Sequence, residues 1–206
     1  MIVISSMRPF GEDPEWDRNQ LLAFRTWMMF ASRVILFGQK EPTLNNAKVH
    51  FIESEQFPKI KDMAQVAGEQ KHRVVTICNG DILLDPHIIK IEQQMKDGRC
   101  RCASSRRWHF DADKLPQSLE ESSLTDANGR DDRGRDVFIA QARVWQVIAE
   151  EIPETLRIGH QQWDGEITDR FRQHWNHKFV DFTALRMVHH PHHGGRRMPY
   201  AETITR

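Results

Sequence analysis

The chain of 206 residues is poor in cysteine, has no net charge and contains no long apolar run. Each absence excludes something. Cys78, Cys100 and Cys102 are an odd count, two of them one residue apart, so no disulfide framework is expected and reduced thiols in a reducing compartment are. The Cys100-Arg101-Cys102 spacing is tighter than that of common zinc hooks, which argues against a zinc site there. Lys+Arg 29 against Asp+Glu 29 leaves formal net charge +0, so a nucleic-acid partner would have to be held by a local basic patch and not by the overall field. No apolar stretch approaches the ~20 residues of a membrane span. The opening Met1 to Ser6 has neither the basic start nor the long apolar core of a secretory signal, so a cytoplasmic location is expected. At roughly 150 residues per domain the length fits one compact domain over 1–206 and excludes two large ones. There is no internal repeat and no low-complexity tract.

What is present is an alternation of short β-branched runs with helical stretches, the mark of parallel strands joined by crossover helices. Strands are predicted at Ile2 to Ile4, Arg33 to Phe37 and Lys48 to Ile52, and helices over about 18–32 and 57–70. In the first helix Leu21, Leu22, Phe24, Trp27, Met28 and Ala31 share one face. Arg73 to Cys78 is apolar on both faces and is predicted to lie deep in the sheet. Pro86 then opens a helix running to about Met95. The second half is less regular. Strands are expected near Cys100 to Ser105, Arg135 to Ala140 and Phe179 to Phe182, with helices at 141–151 and 162–175; Val144, Val147 and Ile148 line the inner side of the first, and Ile167 and Phe171 that of the second. Asp111 to Arg135 reads as a long polar loop and Met187 to Arg197 as a His-, Gly- and Arg-rich tail with no core after it. Trp16, Trp27, Trp145 and Trp175 read as core residues, with Trp163 as the exception that is free to meet a ligand.

Chemistry is expected outside the carboxyl ends of the strands of an open α/β sheet. There stands Asn79-Gly80-Asp81, where a carboxylate beside a residue as small as Gly80 can reach a divalent cation while backbone approaches a phosphate. The same residues also suit a tight turn with Asp81 as a helix cap. The run Val188 to Gly195 offers four imidazoles for a metal or a phosphate, or is a solvated tail. Asp136 and Asp164 each lie at the edge of a predicted element; Asp164, beside Trp163, suits either a general base or a helix N-cap. Arg99, Arg101, Arg106, Arg107, Arg130, Arg133 and Arg135 suit phosphate binding, whereas the interleaved acidic residues suit a solvated mixed-charge loop.

In their order these motifs resemble the GT-A-fold nucleotide-sugar glycosyltransferases, in particular small members of mostly unassigned substrate. The residues that do so are Ser5 to Phe10, Gln20 to Trp27, Val34 to Gly38, Cys78 to Ile82, Gly134 to Ile139, Ile158 to Asp164 and His190 to His193. Asn79 stands where the usual Asp-x-Asp motif has its first Asp, Gly165 where Asn is common, and Leu21-Leu22 where a polar pair is usual. The resemblance implies an α/β fold, GT-A-like and Rossmann-related, with a central mostly parallel sheet flanked by helices. It implies a nucleotide-binding half at about 1–98, an acceptor and catalytic half at about 99–193 and a polar tail at 194–206. It further implies a nucleotide-sugar donor held by Ser5, Ser6, Arg8, Glu53, Asn79 and Gly80, and a divalent metal, Mn²⁺ or Mg²⁺, at Asp81 with His190 and His193. Asp164, or failing it Asp136, would deprotonate the acceptor hydroxyl, and Arg106, Arg107 and Trp163 would contact acceptor or phosphate. The acceptor is a glycan, a small molecule, a protein or a modified nucleic-acid base. The alternatives are a non-catalytic nucleotide-binding member of the fold and, with less support because Ser5 to Pro9 has no glycine-rich loop, a nucleotidyltransferase.

Overall fold

The computed structural model describes residues 1–42, 44, 46–55, 57–110, 130–160 and 162–191, with the side chains of 110 and 130–133 left aside. Four strands, β1 (Ile2–Ser6), β2 (Arg33–Gly38), β3 (Val49–Glu53) and β4 (Val74–Cys78), run parallel in the order β3-β2-β1-β4. Their connections include α1 (Pro14–Met28) and α2 (Ile60–Glu69). After β4 come β5 (Leu83–Leu84), α3 (Ile89–Lys96), β6 (Cys102–Phe110), β7 (Arg130–Gln141), α4 (Ala142–Ala149), α5 (Trp163–Trp175), β8 (Phe179–Asp181) and β9 (Val188–Pro191). β7 joins antiparallel to β4, and the sheet continues through β6, β9 and β5, with β8 paired to β6.

Strand alternation builds two cores. Val3, Val34, Leu36, Val137 and Ile139 point to one face, where they meet Trp27 of α1 and Ile91 and Met95 of α3. Ile4, Ile35, Phe37, Phe138 and Ala140 point to the other and meet α2, α4 and α5 through Met63, Trp145 and Phe171. Every side chain of β4 is buried, as its apolar pattern predicts. Two indoles tie helices to this strand region by hydrogen bonds: Trp27 Nε1–H donates to the Ile82 carbonyl (2.9 Å) and Trp145 Nε1–H to that of Val75 (3.1 Å).

Several expected boundaries move. α1 starts at Pro14 because Asp13 caps it, its carboxylate accepting the Glu15 amide at 2.9 Å. Pro86 opens a 3₁₀ turn, Pro86–Ile88, and α3 follows. β6 extends past the expected Ser105 to Phe110, and the stretch expected as a loop is shortened at its far end, since β7 begins at Arg130. The expected tail is corrected most: Val188–Pro191 is a buried strand held by β6 and β5. Val147, predicted to face inward, is 44% exposed, because α4 buries its other side. Trp16 and Trp175 are only partly buried. The three cysteines are free and buried, and burial pushes the Cys102 thiol up to about 12, so these thiols are unreactive. No helix of the described residues is long and apolar enough to cross a membrane.

Candidate functional site

Outside the carboxyl ends of β1 and β4 lies a cleft of about 170 Å³ whose walls include Ser6, Arg8, Asn79, Gly80, Asp81, Arg107 and His190. All seven are residues that the sequence singled out. Ser5 is fully buried beneath it, its hydroxyl donating to the Cys78 carbonyl (2.7 Å) and so tying the ends of the two strands together. Gly80 comes so close to β1 that a Cβ there would stand 2.2 Å from the Ser6 carbonyl oxygen, so glycine is required for the approach and not only for a turn.

Asp81 is 4% exposed and Asp136 also 4%, and both belong to one hydrogen-bonded network. Asn79 Nδ2–H donates to Asp136 Oδ1 (2.7 Å), and Arg107 pairs with Asp136 Oδ2. Arg107 Nε–H donates to His109 Nε2 (3.1 Å), the Nδ1 atoms of His109 and His190 are 3.2 Å apart, and His190 Nε2 is 3.0 Å from Asp81 Oδ2. A guanidinium only donates and an ionised carboxylate only accepts, so both ends of this chain have a fixed direction. Neutral tautomers satisfy every link: His109 Nδ1–H donates to His190, and His190 Nε2–H donates to Asp81. Burial raises the Asp136 carboxyl above its ordinary pKa, against the pull of the Arg107 cation.

On the opposite wall Gln20 Oε1 accepts the Arg8 amide (2.7 Å), and the Arg8 guanidinium lies 4.0 Å from the centre of the Trp16 ring and 5.5 Å from that of Phe57. Phe57 packs in turn against His160, whose pKa burial and the nearby Arg157 cation lower.

The remaining predicted residues lie elsewhere. Glu53 is exposed at the end of β3, paired in register with Gly38. The Arg106 amide donates to Thr183 Oγ1 (2.9 Å). Asp164 is not the helix cap, since Gln162 takes that position with φ 77; its Oδ2 accepts the Arg135 amide (3.1 Å) from the first turn of α5. Trp163 is corrected: it is 3% exposed and packs edge-on to Phe138, which makes it core and removes it as an acceptor contact. His193 falls outside the described residues. Sequence reasoning missed His109 as a member of the network, and it missed Trp16 and Phe57 as cleft walls. His109 carried no signal beyond its nearness to Arg107, whereas Trp16, one helical turn before the buried Gln20, could have been found from periodicity.

Among the described residues no group of three or more His, Cys, Asp and Glu is arranged to hold a metal ion. The Asp81 carboxylate on the cleft wall nonetheless suits an ion that takes its other ligands from phosphate and water, and His190 Nε2, 3.0 Å away, would join it only in its other tautomer, with its N–H bond to Asp81 given up.

No protein-family model matches the chain and no curated protein matches it in sequence. Its fold is similar to that of several solved structures. A Bacillus anthracis protein described as a glucose-1-phosphate thymidylyltransferase, solved with sucrose, matches with TM-score 0.52 at 9% identity, over 88% of this chain and 86% of that one. The S. aureus TarS fragment 1–349 matches with TM-score 0.57 at 9% identity over 92% of this chain. The same fragment in complex with UDP-GlcNAc matches with TM-score 0.58 at 9% identity over 97% of this chain. This chain spans 60% of the length of either TarS structure. A parallel β3-β2-β1-β4 half, an antiparallel continuation and a polar cleft at the strand ends, together with these likenesses, give the chain a GT-A-like fold.

Proposed function

We propose that this protein transfers a sugar from a nucleotide-sugar donor to a hydroxyl acceptor, with the nucleoside diphosphate bound in the cleft over Asn79-Gly80-Asp81. The observation that carries this reading is the facing of the Asp81–His190 pair with Ser6 and Arg8 across one cleft at the carboxyl ends of β1 and β4. TarS holds UDP-GlcNAc on the same fold, which supports a donor of that kind. Bound by Asp81 and His190, Mn²⁺ or Mg²⁺ would neutralise the leaving diphosphate. Arg8, fixed by Gln20 and stacked on Trp16, meets the phosphates, while Ser6 and the close-packed Gly80 let backbone approach them. Asp136 positions Asn79 and Arg107 from behind the wall. Asp164 is the general base toward the acceptor, and Glu53 meets the base or ribose of the donor. Arg106 would contact an acceptor phosphate.

A second reading, nucleotidyl transfer, is favoured by the likeness to the thymidylyltransferase, which extends over most of both chains. The test is incubation with a panel of nucleotide sugars and Mn²⁺ in the presence of candidate acceptors, with thermal-shift measurements alongside. Release of nucleoside diphosphate, lost in Asp81→Ala together with metal-dependent stabilisation, is expected. Pyrophosphate release from a nucleoside triphosphate and a sugar phosphate would establish the second reading. Binding without turnover for any donor would leave a nucleotide-binding protein of this fold.

A further inference from the structure

At the opposite end of β4 the chain forms a second concavity of different chemistry. A cavity of about 550 Å³ opens beside Arg73 and Val74, where β4 begins, between the end of α2 and the first turn of α4. Its charged walls are Lys71, Arg73, Lys96 and Arg143, with His72 among them, and no acidic residue among the described residues lines it. In a chain with 29 acidic and 29 basic residues, four cations without an acid are a segregated set and not an average sample of the surface. An adjoining concavity repeats Lys71 and Arg73 and adds Arg33, with Glu69 as its one acid.

Little neutralises these cations. Among the described residues the side chains of Lys71, His72 and Arg73 make no hydrogen bond or ion pair, and Arg143 Nε–H donates to the uncharged Gln141 side chain (3.2 Å). Lys96 has a carboxylate, Glu92 at 3.0 Å, but Glu92 also holds the Met1 amino group at 2.8 Å. The turn carrying the set adopts left-handed backbone at His72, φ 60, a conformation that favours glycine. Two guanidinium groups matching phosphate in paired hydrogen bonds, with lysine as a point charge, are the usual protein device for a multiply charged phosphate. The cavity also falls within the usual size of a small-molecule site, roughly 300–1,000 Å³.

We infer that this cavity binds a compact polyphosphate, such as inorganic triphosphate or the triphosphate of a nucleotide. The inference does not rest on the proposed sugar transfer. The five residues of β4 separate the cavity from the cleft, so the two sites are on the order of 15 Å apart. A nucleic-acid backbone offers the same charge, but a half-open recess whose cations converge from the turn before β4, from α3 and from α4 suits a short ligand better than a long strand.

The test is isothermal titration of the full chain with inorganic tripolyphosphate at constant ionic strength, compared with Lys71→Ala/Arg143→Ala and with Asp81→Ala. One site is expected in the wild type and in Asp81→Ala, with binding about tenfold or more weaker in the double variant. Lys71 and Arg143 are exposed, so that variant should keep the wild-type melting temperature without ligand; Arg143→Lys, which keeps the charge, should lose less. ATP should displace tripolyphosphate if the source is a nucleotide and fail to do so if it is the inorganic ion. Equal binding in all three proteins, or none at millimolar ligand, would overturn the inference. So would binding of a short single-stranded DNA that the double variant loses while tripolyphosphate gives no heat, because the cations would then serve a nucleic-acid backbone.

Discussion

The two ends of β4 handle charge in opposite ways. At the carboxyl end Asp81 and Asp136 are buried, and each is hydrogen-bonded to a group that shares the network from Arg107 through His109 to His190. At the amino end Lys71, Arg73 and Arg143 stand exposed, and among the described residues no carboxylate lines the cavity they share. A buried carboxylate is tolerable only where donors replace water, whereas an exposed ammonium or guanidinium keeps its hydration and needs no partner. The first end is therefore rigid and specific in sequence, and the second is tolerant of change until a ligand arrives.

This contrast can be broken most directly with Gly80→Ala. Its Cβ would meet the Ser6 carbonyl at 2.2 Å, which backbone must yield to, so we expect a loss of about 2–3 kcal/mol in urea denaturation. A wild-type midpoint would show that the β1 and β4 ends are not in such close contact. Next in size is Asp81→Ala. A donor at about 100 times its Kd should stabilise the wild type by about 2.7 kcal/mol, and the metal-dependent part of that shift should vanish in the variant. Asp136→Asn sharpens the role of the wall behind the cleft. The amide still accepts from Asn79 but no longer attracts Arg107, so kcat should fall with KM for donor nearly unchanged, and an equal rise in KM would instead make Asp136 a binding group.

The smallest effects belong away from the cleft. Burial works against ionisation of Asp181, yet its bonds to Arg135 and Thr183 hold its carboxyl at about 2. Its pKa is thus depressed on folding, so its contribution is present above the ordinary carboxylate value and is lost as pH falls from about 4 toward about 2. Asp181→Asn should flatten that part of an acid-denaturation curve, and a curve parallel to the wild type would assign the acid sensitivity elsewhere. Lys71→Ala should change stability by less than about 0.5 kcal/mol in the absence of ligand. A larger loss would mean that the amino end is tied into the fold as tightly as the carboxyl end.

Much of the first half was legible because its strands obey simple patterns. Val74 to Cys78 is apolar throughout and could only be central, and Asn79-Gly80-Asp81 follows it at the end where such sheets bind ligands. The start of α1 was also legible in Asp13-Pro14, a cap followed by proline, though the apolar stripe beginning at Leu21 masked it. The second half hid its structure in partners distant in sequence. Val188-His189-His190-Pro191 looks like a polar tail, and nothing local says that β6 and β5 bury it. Asp164 read as either a general base or a cap by its position before an apolar pattern, while the cap is Gln162 with left-handed backbone, which side-chain preference does not signal. The basic cavity draws its walls from Lys71, Lys96 and Arg143, which only the closed sheet brings together.

The pairing of Asp81 with His190 bridges 109 positions of sequence. Closing so long a loop costs more chain entropy than the contacts within the first four strands, so the cleft is expected to be assembled late in folding. A chain emerging from the ribosome has its first four strands, its Asn79-Gly80-Asp81 turn and its Arg8 long before it has the imidazole that completes the wall. Affinity for any ligand that this cleft takes would therefore double as a report on whether folding has finished.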